Sequence, residues 1–498
     1  MFMNELENEL NVATTENGAL GYKTTKSELV DFNFKVASYR NRSENEIKHD
    51  FEKVWNENNE LAFKFLFYIR DARKGIGERR LFRVCLSQIM NKLNEEHATQ
   101  YFNYIVEYGR YDDLFVFFGS KLEKKMLEFI KLTLTQDMLN MKNNKLISLC
   151  AKWMPSINTS NKNTRQLAMK FIKYLDISPK EYRKMLAGLR EYSGILESKI
   201  CRNQWGDVDY ESVPSQANIK YNLAFLRHDE TRRRDYLGKL ETGEAKINSS
   251  VLFPHDIVHK YSDCGHWRDD VKAYDTALEA MWKGLPDYVK GTSNILVQRD
   301  GSGSMMSLIG NTKISALDVA TALSIYFSEK CEGEFKNKFI TFSSHPEIVD
   351  LSKLNTLHDK LKECYKYDDC SNTDIKKSFD LILKVAIKNN LKQEEIPNLL
   401  IISDMEFDYA HGRSVNDKQL FKVIEEQWNN AGYQLPKLIF WNVNSRTNTI
   451  PLTQNNNGVI LVSGFSTAIV TQVLSEQMDP YKALLDILNS NRYSNIEI

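Results

Sequence analysis

The stretch SNILVQRDGSGSMM (residues 293–306) joins a short apolar run to a loop rich in glycine and serine. A helix-like stretch, TKISALDVATALSIYF (312–327), follows this loop. An apolar run, a small-residue loop and a helix in this order are typical of a strand that leads into a helix. The glycines and serines indicate that backbone or hydroxyl groups approach a phosphate, a metal ion or only the next helix.

Strand-like and helix-like patterns alternate after about residue 290. The strand-like runs are NILVQR (294–299), KFITFS (338–343), PNLLIIS (397–403), KLIFWNV (437–443) and GVILVS (458–463). The helix-like runs are 312–330, 372–389, 415–431 and 465–476. This alternation predicts a doubly wound, mainly parallel sheet over residues 291–498. Ligands of such sheets bind beyond the carboxyl ends of the strands, which is where DGSGS lies.

Before residue 290 the apolar residues recur with helical period. One stripe consists of Leu81, Val84, Cys85, Ile89 and Leu93. The segment SPKE (178–181) offers Ser as N-cap, Pro at the first helical position and Glu two residues later, which predicts a helix start. We therefore expect an all-α, HEAT-like helical-repeat domain over 29–290, preceded by a flexible lead-in over 1–28. The overall fold class is α plus α/β.

Composition favours an ordinary globular chain in the cytoplasm. The 498 residues are 42% hydrophobic and 27% charged, with 66 basic and 66 acidic side chains. No run reaches the roughly 18 apolar residues that a membrane span needs, and MFMNELENEL lacks the pattern of a signal peptide. The odd number of cysteines, seven, favours reduced thiols.

The loop after the first strand carries a hard, all-oxygen donor set. A dinucleotide loop and a P-loop do not fit, because the full glycine pattern and a Gly-Lys-Ser/Thr sequence are missing. Asp300, Ser302 and Ser304 instead alternate along the loop, and oxygen ligands of this kind suit Mg²⁺ or Mn²⁺. Thr373 in CSNTD and Asp404 in IISDMEFD follow at other expected strand ends. The alternative is a Gly/Ser turn that only caps the next helix.

These five residues resemble the metal-ion-dependent adhesion site of a von Willebrand factor A domain. The resemblance implies that Asp300, Ser302, Ser304, Thr373 and Asp404 hold the ion, directly or through water. It also implies an open coordination position for an acidic group or another oxygen of a protein partner. Gln298 and Arg299 depart from the pattern, because the family's first strand usually stays apolar up to the Asp. Arg299 either lies near the ion and weakens its binding or points away from it.

The chain also resembles an uncharacterised family known from plants and large viruses. The motifs that carry this resemblance are FYIRDARKGIGERRLF (67–82), YGRYDDL (108–114), KWMPS (152–156), YRKMLAGLRE (182–191), VPSQA (213–217), PHDIV (254–258), SDMEFD (403–408), IFWNV (439–443) and LVSGFS (461–466). More distantly, the chain resembles the Ro autoantigen proteins, in which a ring of helical repeats (TROVE) joins a von Willebrand A domain. That resemblance implies binding of small structured or single-stranded RNA by the helical half.

A basic segment agrees with an anionic partner. Residues 141–206 hold thirteen Lys or Arg against four Asp or Glu, whereas residues 291–498 hold twenty-one against twenty-five. The candidate RNA-binding residues are Lys152, Lys162, Arg165, Lys170, Lys173, Arg183, Lys184 and Arg190. Such a cluster neutralises phosphates. A solvated helix face is an equal alternative.

Two other motifs have ordinary interpretations. HDIVH (255–259), with Cys264 and His266 nearby, has histidines at a spacing that zinc accepts, but Pro254 favours a helix start with ordinary histidines. RRR (232–234) lies among acidic residues and indicates an ion-paired helix surface.

The sequence therefore supports two main hypotheses about function. The first is a non-enzymatic, Ro-like RNA-binding scaffold with a magnesium site in its von Willebrand A domain. The second is a metal-dependent protein-interaction adaptor that binds no nucleic acid. Metal-dependent hydrolysis is a third and weaker hypothesis, because no general base is evident beside the single hard ion.

Overall fold

A computed structural model describes residues 10–14, 20–262, 271–289, 294–342, 346–367, 375–406, 420–447, 449–450, 459–466, 469–473 and 479–498. Its strands are β1 (Val12–Thr14), β2 (Leu20–Tyr22), β3 (Ile295–Asp300), β4 (Lys338–Phe342), β5 (Ile348–Asp350), β6 (Asn398–Ser403), β7 (Leu438–Asn442) and β8 (Val459–Ser463).

Helices account for most of the remaining described residues. Before residue 250 they are α1 (Glu28–Phe34), α2 (Glu44–Glu57), α3 (Asn59–Arg70), α4 (Arg79–Ile89), α5 (Ala98–Tyr108), α6 (Glu123–Lys142), α7 (Cys150–Trp153), α8 (Lys162–Leu175), α9 (Pro179–Tyr192), α10 (Leu196–Cys201), α11 (Ser215–His228) and α12 (Glu230–Thr242). After it they are α13 (Pro254–Tyr261), α14 (Thr276–Lys283), α15 (Ala316–Lys330), α16 (Leu357–Tyr365), α17 (Ile375–Asn389), α18 (Leu420–Asn430), α19 (Val470–Val473) and α20 (Pro480–Leu488). Among the helices described, none is long and apolar enough to cross a membrane.

The described chain divides into two compact units. The sheet unit comprises Met1–Ala62, Arg73–Ile76 and Ser249–Ser494. The helical unit comprises Phe63–Ala72, Gly77–Asn248 and Asn495–Ile498. The domain boundary near residue 290 stays a prediction about the sequence; the compact units of the structure divide elsewhere.

The sheet unit contains the predicted α/β sheet. Its strand order is β5-β4-β3-β6-β7-β8, and all neighbours pair in parallel except β5 with β4. This order begins at the middle of the sheet and winds outward in both directions, as in doubly wound folds. Helices cover both faces: Gln298 reaches Ser378 of α17 on one face, and Arg299 reaches Thr321 of α15 on the other. The predicted α plus α/β fold class is confirmed.

Residues from the start of the chain complete the sheet unit. Phe34 of α1 belongs to the same apolar core as the strands, and its carbonyl accepts a hydrogen bond of 2.8 Å from Asn442 Nδ2. Within the segment 1–28, interpreted above as flexible, β1 pairs with β2, and Tyr22 exchanges two backbone hydrogen bonds with Ile450. The described part of the lead-in therefore forms strands, because its backbone groups find partners in the chain's C-terminal half.

The helical unit is built from capped, amphipathic helices. The predicted start at SPKE is confirmed, since the Ser178 hydroxyl and the Glu181 carboxylate form a reciprocal capping box on α9. A second, smaller core lies around α11 and α12; its buried members are Leu196, Val208, Tyr210, Val213, Phe225 and Tyr236. The repeat arrangement that the sequence suggests stays a prediction.

The interpretation of RRR as an ion-paired surface is right for two of its three arginines. Arg232 pairs with Asp229 at 2.9 Å, and Arg234 pairs with Glu230 at 2.8 Å. Arg233 is instead fully buried, and its Nη2 donates to the Oδ1 atoms of Asn218 (2.9 Å) and Asn222 (2.8 Å). Its guanidinium lies 5.1 to 5.4 Å from the ring centres of Tyr210, Phe225 and Tyr236. A planar cation surrounded by rings and amide oxygens holds this small core together.

Arg233→Lys is expected to lower the melting temperature of the helical unit by about 4 °C or more, because an ammonium cannot reproduce the planar fork or the ring contacts. The neighbouring exposed variant Arg234→Lys is the matched control and should change it by less than about 1 °C. Differential scanning calorimetry of the full chain measures both. Equal small shifts in the two variants would contradict the structural role of Arg233.

Candidate metal centre and basic helix face

The two central strands bring distant polar residues to one edge of the sheet. β3 and β6 are parallel neighbours, and they end at Asp300 and Ser403, directly before Asp404. The Ser403 hydroxyl donates a hydrogen bond of 2.5 Å to Asp300 Oδ2. Asp300 and Asp404 are each only 1% exposed. Parallel pairing thus places two carboxylates that are 104 residues apart in the chain within one buried cluster.

The loop after β3 turns its two serines toward each other. The Ser302 backbone N–H donates to Asp300 Oδ1 at 2.9 Å. The hydroxyl oxygens of Ser302 and Ser304 are 3.0 Å apart, and a short 3-10 helix, Gly303–Met306, follows. Alternation along the loop therefore gathers the carboxylate and the two hydroxyls, as the D-x-S-x-S spacing predicts.

The cluster concentrates negative charge away from water. Burial raises the pKa of Asp300, and the neighbouring hydroxyls and the charge of Arg299 only partly offset this effect. Burial first, and the charge of Asp300 second, raise the pKa of Asp404 to about 7, while the nearby Ser304 hydroxyl lowers it. Two carboxylates that repel each other in a buried site would be stabilised by a cation.

The donor set fits a hard divalent cation. Asp404 Oδ2 is buried without a hydrogen-bond partner among the described residues, which leaves one acceptor available to an ion. Two carboxylates and two hydroxyls are too few for a complete shell, and Mg²⁺ commonly keeps several waters. No group of three or more His, Cys, Asp or Glu side chains placed to hold a metal occurs in the described chain. Thr373 lies outside the described residues. That these residues hold a metal stays a prediction.

Glu406 has a role that the sequence does not reveal. An acid so close to Asp404 could assist metal chemistry or lie on the surface; in the structure it is 1% exposed and binds the loop after β7. Its Oε1 accepts from the backbone N–H groups of Arg446 (2.8 Å) and Thr447 (2.9 Å). Asp408 lies outside the described residues. Glu406 therefore positions the loop beside Asp404.

A chain of amides fixes the rim of the site. Asn41 accepts from the Gly310 N–H at 2.6 Å and donates to Asn444 Oδ1 at 2.7 Å. Asn444 donates in turn to Ser307 Oγ at 3.0 Å. Gly310 has φ of +57°, and a Cβ there would lie 3.1 Å from the Arg40 carbonyl oxygen, so glycine suits both the conformation and the close approach.

Gln298 and Arg299 point away from the carboxylates. The Arg299 guanidinium donates to Thr321 Oγ1 (2.9 Å) and to the Cys364 carbonyl (3.3 Å), and it lies 5.5 Å from the centre of the Phe339 ring. Gln298 reaches the opposite face of the sheet. Arg299 therefore points away from the candidate metal centre, which is the second of the two alternatives given for it above. Its side chain lies on the face of the sheet that α15 covers.

The histidines of HDIVH do not share a site. His255 is buried between the rings of Phe253 (5.4 Å) and Phe465 (5.5 Å), whereas His259 Nδ1 lies 3.2 Å from Asp318 Oδ2. Cys264 and His266 lie outside the described residues. The helix-start interpretation agrees with α13, which begins at Pro254.

The candidate RNA-binding residues lie mainly on two adjacent helices of the helical unit. Six of them are exposed on α8 and α9: Lys162, Arg165, Lys170, Lys173, Arg183 and Lys184. Lys170 lies 4.4 Å from the centre of the Phe118 ring, and Lys152 is half-buried, 5.6 Å from the Trp153 ring. Basic groups beside rings are suited to nucleic acid as well as to solvent.

Arg190 differs from the other candidates. Its guanidinium donates to the carbonyls of Ala151 (2.8 Å) and Met154 (2.7 Å) and to Ser156 Oγ (3.0 Å). Burial lowers the pKa of this arginine. Arg190 therefore ties α9 to the turn after α7, and most of its donors are already used. Its role in RNA binding stays a prediction, with the structure favouring a scaffold role.

Two family models match the chain, and both describe domains of unknown function. Residues 294–490 match a domain of unknown function (DUF7788), which covers the predicted von Willebrand A region. Residues 15–99 and 159–295 match another (DUF2828), which covers much of the predicted helical region.

Two similar proteins align with most of this chain. The uncharacterized protein L728 of Acanthamoeba polyphaga mimivirus is 29% identical over 520 residues, which span 96% of this chain and 87% of the viral protein. Among solved structures, the Ro (RSR) protein of Deinococcus radiodurans aligns with 89% of this chain and 97% of its own, at 12% identity and a TM-score of 0.34.

The buried His255 makes stability depend on pH. Burial, and then the charge of Arg40, lower its pKa to about 3, so the folded chain keeps the imidazole neutral. The unfolded chain binds a proton near its ordinary pKa of about 6.5, so this stability is complete above pH ~6.5 and falls by roughly 1.4 kcal/mol per pH unit below it.

The melting temperature of the wild type should therefore fall by about 4 °C per pH unit more steeply than that of His255→Gln between pH ~6 and ~4. His49→Gln, at an exposed histidine of the same unit, should keep the wild-type slope. Parallel pH profiles for the wild type and His255→Gln would show that His255 is not the responsible group.

Proposed function

We propose that the chain is a non-enzymatic binding protein whose sheet unit holds one Mg²⁺ or Mn²⁺ at Asp300, Ser302, Ser304 and Asp404. The observation that carries this proposal is the pair of buried carboxylates at the ends of β3 and β6, where Asp404 Oδ2 has no hydrogen-bond partner in the described part of the chain. The bound cation would offset their mutual repulsion and leave coordination positions for a ligand oxygen. Thr373 is proposed as a further ligand from its sequence position alone.

Such a site recruits a ligand rather than transforming one. A cation with open positions attracts an acidic group or another oxygen of a protein partner. Catalysis would require a general base beside the ion, and Glu406, a buried acid two residues after Asp404, already accepts hydrogen bonds from the loop that it positions. We therefore propose a metal-dependent contact with a carboxylate-bearing partner.

If Asp404 holds a metal, its charge should lower the stability of the metal-free protein and should be needed for stabilisation by Mg²⁺. In EDTA, Asp404→Asn should raise the melting temperature of the sheet unit by about 2–4 °C, because the amide removes a buried charge worth roughly 1 kcal/mol. In the wild type, Mg²⁺ at a hundredfold its Kd should add about 2.7 kcal/mol of stability, and Asp404→Asn should abolish this gain.

Calorimetry with and without Mg²⁺ measures both effects. The control is Asp486→Asn, which removes an exposed carboxylate from the same unit and should retain the full response to Mg²⁺. A wild-type melting temperature that is the same in EDTA and in Mg²⁺ would contradict the metal centre.

RNA binding by the helical unit is the second part of the proposal. It is supported by the six candidate basic side chains exposed on α8 and α9; the exposed acids of residues 162–192 are Asp176, Glu181 and Glu191. Cations spaced along adjacent helices match a phosphate backbone, and this contribution to binding weakens with salt. We propose small structured or single-stranded RNA as the ligand, in a cytoplasmic protein.

Charge reversal tests the basic face. The double variant Lys170→Glu/Lys173→Glu should weaken binding of a short oligouridylate or a hairpin RNA by about tenfold or more at ~100 mM salt. The slope of log Kd against log salt should also fall by about one unit or more. Filter binding across a salt series measures both quantities.

The matched control is Lys220→Glu/Lys246→Glu, which reverses two exposed lysines elsewhere on the helical unit. An equal loss of affinity in the control, or no RNA binding at low salt, would contradict the proposed surface. Partner capture that is lost in EDTA and in Asp300→Ala but kept in the Lys170/Lys173 variant would instead favour the alternative, an adaptor without nucleic acid.

A further inference from the structure

Arg446 lies in the loop after β7, and contacts on both sides fix its backbone. Its N–H donates to Glu406 Oε1 at 2.8 Å, and its carbonyl accepts a hydrogen bond from the Arg42 guanidinium. Its side chain is nevertheless 40% exposed. The backbone of Arg446 is thus held in place, while part of its side chain faces solvent.

The Arg446 side chain reaches the metal centre. Its Nη2 lies 3.9 Å from Asp404 Oδ2, the buried oxygen for which the described residues offer no hydrogen-bond donor. This distance allows charge attraction but is too long for a hydrogen bond. The guanidinium of Arg446 therefore attracts the buried carboxylate of Asp404 electrostatically. It does not form a hydrogen bond with Oδ2 that would fix the two groups together.

We propose that Arg446 is a displaceable counter-cation: it neutralises Asp404 in the metal-free protein and must move outward when a divalent cation binds. This inference rests on the metal centre proposed above and adds a competitor to it. Asp404 is 1% exposed whereas the Arg446 side chain is 40% exposed, so the arginine is the member of the pair nearer to solvent. The metal ion must then compete with the positive charge of Arg446 for the carboxylate of Asp404.

The effect on metal affinity follows from Coulomb's law. A unit charge about 4 Å from a partly buried carboxylate interacts appreciably with it, but exposure of the guanidinium screens much of this attraction. Removal of the competing charge should therefore tighten binding of Mn²⁺ by about threefold to tenfold. A lysine at the same position keeps the charge and should stay within about twofold of the wild type.

Mn²⁺ titration followed by electron paramagnetic resonance of the free ion tests this directly in the full chain. The proteins compared are the wild type, Arg446→Gln, Arg446→Lys and the control Lys482→Gln, which removes an exposed charge from the same unit. Tighter binding confined to Arg446→Gln supports the inference. Equal or weaker binding by Arg446→Gln, or equal tightening in Lys482→Gln, overturns it.

A second measurement separates this inference from the metal centre itself. In EDTA, a double-mutant cycle of Arg446→Gln and Asp404→Asn should show coupling, with the double variant melting about 2 °C higher than the sum of the single shifts predicts. No coupling overturns the counter-cation role even if Mn²⁺ binds. Coupling without Mn²⁺ binding in any variant overturns the metal centre and the displacement step, and leaves Arg446 as a permanent partner of Asp404.

Discussion

The hydrogen bond from the Ser403 hydroxyl to Asp300 Oδ2 joins the ends of the two central strands, and the candidate site depends on it. It exists because β3 and β6 are parallel neighbours, so that their carboxyl ends meet at one edge of the sheet. An antiparallel pair would place Asp300 and Asp404 at opposite edges. The same Ser403 oxygen accepts from the Met405 N–H at 3.0 Å, and Met405 has φ of +64°. The turn that carries Asp404 is therefore fixed from the strand end.

Charged side chains occupy three different places near the edge of the sheet where β3 and β6 end. Asp300 and Asp404 are buried at the site, Arg299 is buried beneath the sheet, and Arg446 reaches in from the rim. Arg299 acts on the site through its electric field, because its two Nη atoms donate to Thr321 of α15 and to the Cys364 carbonyl. Of these four side chains, that of Arg446 is the most exposed, whereas Arg299 is enclosed by the core. Arg446 is therefore the arginine proposed above to give way to a cation.

Much of the fold could be predicted from the sequence, because long apolar runs carry their own period. The five strand-like runs correspond to β3, β4, β6, β7 and β8. The three-residue edge strand β5 has too few residues to show a period. The nine-residue helix α16 was not predicted, although its buried residues Leu357, Leu361 and Cys364 recur with helical period. The sequence could predict the cluster of Asp300, Ser302, Ser304 and Asp404, because these residues end or follow recognisable strands. Arg233 was misjudged because the amide partners that make its burial favourable, Asn218 and Asn222, lie on the preceding helix. The role of Glu406 shows in no local pattern, because its partners are backbone groups of a distant loop.

The N-terminal segment shows why a domain boundary predicted from sequence periodicity differs from the boundary between the compact units of the structure. Its helices have the same period as those of the helical unit, so nothing local distinguishes them. What assigns residues 34–41 to the sheet unit is a set of hydrogen bonds more than 260 residues apart in the chain: Phe34 with Asn442, Ala37 with Ser463, and Asn41 with Gly310 and Asn444. These bonds end at the loops that surround Asp300 and Asp404. The rim of the candidate metal centre is therefore built partly by residues 34–41, and the site needs that segment to keep its shape.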